Sequence, residues 1–315
     1  MRKISYKYLT AALLGVLMMS CGNDVKKDEA VAPITIGVMA SMDYLPIAVA
    51  QANKYFEEEG VVVKIQKFYS ANDRDAALQS NNLDGTIIDY TGAAIQKAGG
   101  VDLSFTSQCD GTFELIAGKD VEIKNDNDYI GKSFAISRNT VIDFCTDMLL
   151  KDKGIPLDKV KESEINKIPL RLEMLRNGKI DMTVLPDPFA TMAKADGGQV
   201  LNSLQNIDYF ITGIVFLKKS ILEKEQSIRA FYKAYNRAVA DLQEKPIDSF
   251  HKILVEEIGF PEAMLANVKL PNYEKARKPR NKDLQAVSDW LTNRKLITED
   301  FDIFKMVESS ELWNK

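Results

Sequence analysis

Four short stretches of this chain carry side chains able to do chemistry, and each follows an apolar run. They are Ser41-Met42-Asp43-Tyr44, Asp89-Tyr90-Thr91-Gly92, Ser137-Arg138-Asn139-Thr140 and Pro186-Asp187. The second and third read as helix starts, where free backbone N–H groups and the helix dipole favour an anion. Thr91, Asn139 and Thr140 serve equally as plain N-caps. Their matching places in two halves of the chain bring the two readings level. Arg138 is placed to grip an anion in a bidentate way or to lie on the surface. Asp187 stands between two prolines that cannot extend a strand ladder. Its backbone is therefore stiff and its carboxylate sits at a strand end, to meet a ligand donor or to cap the helix that begins at Pro188.

The charge balance of these stretches narrows the ligand. Asp43, Asp89, Asp110 and Asp187 supply more acid than base, a poor match for a bare oxyanion. A nitrogen-bearing or zwitterionic molecule fits better, its donor at Asp187 and its polar or anionic end at Thr91 and Thr140. Tyr44, Tyr90, Phe113 and Phe189 are candidates to stack on a ring or a cation; each is equally a core residue.

Several function classes are excluded. The one histidine, His251, lies in a helix among Phe250, Ile253 and Leu254, and there are three cysteines in all. The usual zinc constellations are therefore missing, and no metal or cofactor is expected. No Gly-x-Ser-x-Gly elbow or phosphate loop occurs. A net charge of -4 on 315 residues carries no nucleic-acid signature. With 45% hydrophobic residues, the chain has core enough without disulfide staples. Cys145, at helical spacing from Val141 and Met148, reads as a buried thiol rather than half of a bridge to Cys109.

The elements that must position these residues alternate. The stretch Pro169–Phe189, PLRLEMLRNGKIDMTVLPDPF, shows the grammar best. Leu172, Met174 and Leu175 give a helix that Asn177-Gly178 ends, Ile180 to Leu185 gives a buried strand, and Pro-Asp-Pro stops it. Earlier, strands are expected at 34–39, 61–68, 86–88, 101–107 and 113–117. The intervening helices run from Tyr44 to Glu59, from Ser70 or Asn72, and from Thr91 to Gly99. The pattern restarts with a strand at 133–137 and a helix at 140–153, then brief strands at 199–202 and 209–217. From Gln226 the chain is helical, with Ile228, Phe231, Tyr232, Tyr235, Val239 and Leu242 on one face. Strands alternating with helices make an α/β protein with a mostly parallel sheet. In such sheets, ligands bind beyond the carboxyl ends of the strands.

At the N-terminus, Arg2, Lys3 and Lys7 precede an apolar run, Leu9 to Met19, too short to span a bilayer. It ends Leu17-Met18-Met19-Ser20-Cys21, which resembles a bacterial lipoprotein signal with Cys21 as the lipidated residue. An ordinary secretory signal with a coincidental cysteine is the alternative. Losing those three cations takes the net charge from -4 to -7. Residues 21–32 read as a flexible tether.

The segments RLEMLRNGKIDMTVLPDPFATMA, ITIGVMASMDYLPIAVAQANKYFEEEGVVVKI, IGKSFAISRNTVIDFCTDMLLKDKGI and TGIVFLKKSILEKEQSIRAFYKAYNRAV resemble, in order, periplasmic solute-binding proteins of the nitrate, sulfonate, taurine and thiamine-precursor (NMT1/THI5-like) type. The likeness runs over roughly residues 33 to 310. Asn139 departs from the glycine often found there, and Asp187 from the usual glutamate. The resemblance implies a two-lobed type II periplasmic-binding-protein fold with a helical C-terminal tail and two crossings, near Gly118 and Gly213. Lobe I is then 33–118 with 214–315 and lobe II is 119–213, after a signal at 1–20. It implies a monomeric, periplasm-facing lipoprotein that closes on a small molecule and delivers it to an ABC permease and ATPase. A thiamine-precursor pyrimidine is the favoured ligand, with an aliphatic sulfonate or nitrate as the alternative. A cleft enzyme of the same fold, of thiamine-pyrimidine or menaquinone synthesis, is the rival reading.

Overall fold

The computed structural model describes residues 31–314. The expected signal, Cys21 and most of the tether lie outside the described residues. The strands are β1 (Ile34–Met39), β2 (Val63–Phe68), β3 (Gly85–Asp89), β4 (Leu103–Gln108), β5 (Phe113–Ala117), β6 (Ser133–Ile136), β7 (Lys161–Glu164), β8 (Met182–Pro186), β9 (Gln199–Ser203) and β10 (Thr212–Leu217). The helices are α1 (Leu45–Ala52), α2 (Tyr55–Glu58), α3 (Ala71–Gln79), α4 (Tyr90–Ala98), α5 (Val141–Asp152), α6 (Ile168–Arg176), α7 (Phe189–Ala195), α8 (Lys218–Glu223), α9 (Glu225–Glu244), α10 (His251–Ile253) and α11 (Asn281–Asn293).

The strands form two sheets on one plan, ordered β2-β1-β3-β10-β4 and β7-β6-β8-β5-β9. In each, the first three strands are parallel and the fourth runs against both its neighbours. Those fourth strands are exchanged. β5 follows β4 along the chain but pairs with β8 and β9, while β10 follows β9 but pairs with β3 and β4. This is the two-lobed α/β architecture expected from the resemblance.

The pairing corrects where the chain changes sheets. Residues 113–117 were expected in the first lobe, yet Phe113 pairs with Pro186 and Ala117 with Met182. The chain therefore crosses at 109–112, ahead of Gly118, and returns at 204–211. Gly213 sits inside β10, where a Cβ would come within 2.6 Å of the Ser107 carbonyl oxygen. It is glycine because two backbones approach closely there, not because a hinge needs it.

Local chemistry explains other differences. The single helix expected from Tyr44 to Glu59 is two, since Lys54 adopts φ 60 between α1 and α2. Asp89, not Thr91, caps α4 by accepting the Gly92 N–H at 2.7 Å. Ser70 caps α3 and Thr140 caps α5, as expected. β7, Lys-Glu-Ser-Glu at a sheet edge, has no apolar alternation and escaped the sequence reading.

The predicted face of α9 is buried, and α9 packs against α1 and α2. A second apolar core joins the two sheets, from Phe105 and Leu115 to Phe134 and Phe144, with Leu284 and Trp290 of α11 covering it. Cys109 and Cys145 are both free and buried. Among the described residues, no helix is long and apolar enough to cross a membrane.

Candidate functional site

A cavity of about 60 Å³ lies where the two sheets face each other. The carboxyl ends of parallel strands reach it through Met39, Asp89, Ser137 and Pro186, and the first residues of β5 and β10, Phe113 and Thr212, close it. This is the position at which α/β sheets hold ligands.

One wall carries Asp43, Arg74 and Asp89. Asp43 follows β1 in a short 3-10 turn and is 4% exposed. Its Oδ1 accepts the Gly111 N–H at 2.6 Å. A Cβ at Gly111 would collide with that carboxylate, so glycine is required where the chain crosses. Burial pushes the Asp43 carboxyl up to about 6, because the Gly111 N–H offsets only part of the desolvation and Asp110 adds repulsion. Arg74 of α3 donates Nε to Asp75 Oδ1 at 2.8 Å and Nη2 to Asp89 Oδ2 at 3.3 Å. Burial alone would lower its pKa, but the carboxylates of Asp75 and Asp89 hold it above the ordinary value.

The other wall carries Ser137, Thr140, Asn166 and Arg171. The Ser137 hydroxyl donates to Asn166 Oδ1 at 3.0 Å. Thr140 accepts the Ile142 N–H at 3.2 Å and donates to the Ser137 carbonyl at 2.7 Å. Arg171 is 1% exposed, and its Nη1 donates to the Ile165 carbonyl at 2.9 Å. Its Nε and Nη2 have no partner among the described residues. Burial lowers the guanidinium to about 10, with no carboxylate to restore it.

Of the nine ligand-binding residues expected from sequence, the cavity gathers Asp43, Ser137 and Thr140. Tyr44 is in the core, its hydroxyl donating to Glu257 Oε2 at 2.8 Å. Tyr90 is fully buried against Phe105, ring centroids 4.9 Å apart. Thr91 gives its hydroxyl to Asp89. Arg138 pairs with Glu162 at 3.2 Å and Glu164 at 3.7 Å on an outer groove that Asn139 shares. Asn139 itself adopts φ 59 and donates its N–H to Asp143. Asp187 spends Oδ1 on the Thr191 N–H and hydroxyl, at 2.9 and 2.7 Å. It faces a separate cavity of about 620 Å³ that Asp110 and Lys194 also line. Its observed bonds therefore hold the first turn of α7, which starts at Phe189, one residue later than expected.

Sequence reading missed Arg74 and Arg171 as site residues. The signal was there in spacing: Ile168, Arg171, Leu172 and Leu175 recur at i, i+3, i+4 and i+7, and all four are buried. Arg171 lies on the apolar stripe of its helix, a costly place for a charge without a purpose.

Two α/β sheets that exchange one strand and line a cavity between their strand ends define a type II periplasmic-binding-protein fold. The chain belongs to the NMT1/THI5-like family, whose model matches residues 41–249. A relative from Bacillus subtilis (strain 168), YtlA, carries only the description of a binding protein. It is 21% identical over 304 residues, covering 92% of this chain and 90% of its own. The ligand-binding component of an ABC-type import system from Staphylococcus aureus, solved with zinc bound, superimposes with a TM-score of 0.77 at 14% identity. That match covers 89% of this chain and 97% of the other. The alkanesulfonate-binding protein SsuA from Xanthomonas axonopodis pv. citri, bound to MOPS, gives a TM-score of 0.73 at 15% identity, over 88% and 98% of the two chains. At these identities the likeness is one of fold.

Proposed function

We propose that this protein is the solute-binding component of an ABC importer, which captures a small molecule between its two sheets and hands it to a permease and ATPase. The observation that carries this reading is the cavity between the sheets, to which each brings strand ends and buried polar side chains. Nothing in the cavity resembles a nucleophile with its base: Ser137 donates to an amide oxygen and Thr140 to a backbone carbonyl. Binding without conversion is the chemistry these groups support.

A cavity of about 60 Å³ is smaller than the common range for ligand sites. The sheets therefore part to admit the ligand, and the connections at 109–112 and 204–211 absorb the backbone change. The ligand must then bind the closed form better than the open one. Asp43, a buried acceptor, supports a nitrogen-bearing or zwitterionic ligand. Cys21 is proposed as the lipidated residue that tethers the protein on the periplasmic side of a membrane.

Mass spectrometry of the molecule that co-purifies with the native protein tests the reading, followed by calorimetry with that molecule. Saturable binding with the molecule recovered unchanged is expected; turnover would show an enzyme instead. Changing Cys21 to Ser should release the protein from the membrane fraction, and unchanged fractionation would remove the anchor.

A further inference from the structure

Four charged side chains face the cavity, and they are not equally satisfied. Arg74 and Asp89 meet each other, with Asp75 beside them. Asp43, on the first sheet's side, meets the Gly111 N–H and no cation. Arg171, on the second sheet's side, meets the Ile165 and Asn166 carbonyls through Nη1 alone. Its Nε and Nη2 are buried without a partner among the described residues, and Arg171 is one of the residues that line the cavity. An uncompensated buried charge costs several kcal/mol, and buried polar groups without partners are rare. Such an arrangement persists where something else supplies the partner.

We infer that Arg171 is an anion subsite, and that the transported molecule is a compact zwitterion. Its oxyanion takes Nε and Nη2 of Arg171 and its ammonium group takes Asp43. This rests on the reading of the cavity as the ligand site and adds the ligand's charge pattern to it. Nε and Nη2 lie along one edge of the guanidinium, the fork that a carboxylate or sulfonate matches with two parallel hydrogen bonds. Nη1, on the far side, is held by backbone carbonyls, so the fork is already oriented. Ser137 and the first turn of α5 lie on the same wall. Without ligand, the closed form buries a positive charge from one side and a negative charge from the other. A zwitterion neutralises both at once, so its binding free energy favours closure directly. A molecule that is only an amine, or only an anion, leaves one of the two charges exposed to the same penalty.

The test uses thermal unfolding and calorimetry of the mature chain with five probes: acetate, methanesulfonate, methylammonium, glycine and aminomethanesulfonate. At least one zwitterion should raise the melting temperature more than either of its half-molecules, and Arg171→Met should weaken its binding by tenfold or more. The ligand-free Arg171→Met protein should melt no lower than the parent, since an apolar side chain of similar length replaces an unpaired charge. Arg171→Lys, which keeps the charge but loses the fork, should retain part of the effect. Equal affinity in parent and Arg171→Met, methylammonium acting as strongly as the zwitterions, or no probe shifting the parent would each overturn the inference. So would a ligand-free Arg171→Met protein that melts well below the parent, because the charge would then be structural. A co-purifying ligand that lacks an anionic group would also overturn it, while leaving the importer reading standing.

Discussion

Arg74 and Arg171 are both buried arginines at one cavity, one from each side, yet their surroundings differ. Arg74 has two carboxylates, Asp75 and Asp89, at 2.7 and 3.3 Å. Arg171 has backbone carbonyls and two idle nitrogens. Their titration follows: carboxylates hold Arg74 above its ordinary value, while burial takes Arg171 down to about 10. Local structure produces this contrast. Asp75 is the next residue on α3 and Asp89 caps α4, so Arg74 is neutralised within its own lobe. Among the described residues, the elements around Arg171 offer it only the carbonyls of Ile165 and Asn166, and on the inference above a ligand's anion completes it. A buried charge completed by its own fold is architecture; one left incomplete is recognition.

The largest expected effect would break that contrast at its source. Arg74→Met strands Asp75 and Asp89 without a cation, and removing one partner of a buried pair costs about 3–5 kcal/mol. The matched Arg171→Met removes a charge with no partner and should be neutral or stabilising. Denaturant unfolding of the two variants side by side checks this, and equal losses would erase the distinction.

Asp43 sharpens it through pH. A carboxyl ordinarily near 3.9 that is raised to about 6 binds more protons folded than unfolded between those values. Stability therefore falls as pH rises from about 4 to about 6, and stays level above that. The gap of roughly two units corresponds to about 2–3 kcal/mol. Asp43→Asn keeps an oxygen for the Gly111 N–H but cannot ionise. It should gain on the parent by about that amount across the window, and a difference that does not vary with pH would exclude the assignment.

Smaller effects separate caps from charges. Thr140→Ala removes the side-chain acceptor at the start of α5 and should cost about 1 kcal/mol at any pH. Arg138→Ala breaks two ion pairs on a half-exposed side chain. It should change stability by less than about 1 kcal/mol, an amount that shrinks further with salt. Urea titrations at low and high salt would check both, and a large salt-dependent loss at Arg138 would move it from the rim into the site.

How much of this was legible in the sequence depends on the range of the interaction. Period-2 and period-3.6 patterns placed nearly every strand and helix, because adjacent residues already decide which face is apolar. Ser70 and Thr140 were readable as caps since a cap and its N–H lie two or three residues apart. The ordered likeness of four segments pointed to the family, whose model matches residues 41–249.

Tertiary structure alone decided the rest. β5 and β10 look like any other strands, and only pairing with residues some seventy to a hundred and thirty positions away shows that they are exchanged. Tyr44 and Tyr90 had the composition of ligand-stacking residues but face the core, since direction follows from packing and not from residue type. Asp187 looked free to meet a ligand until α7 folded back to offer Thr191. Arg171 is the clearest case. In the sequence it is one of the polar positions of its helix, yet it is buried, and whether a buried arginine is paired depends on which carboxylates distant segments bring near. A sequence states which charges exist; the cost of each is set by how much water the fold removes and what replaces it.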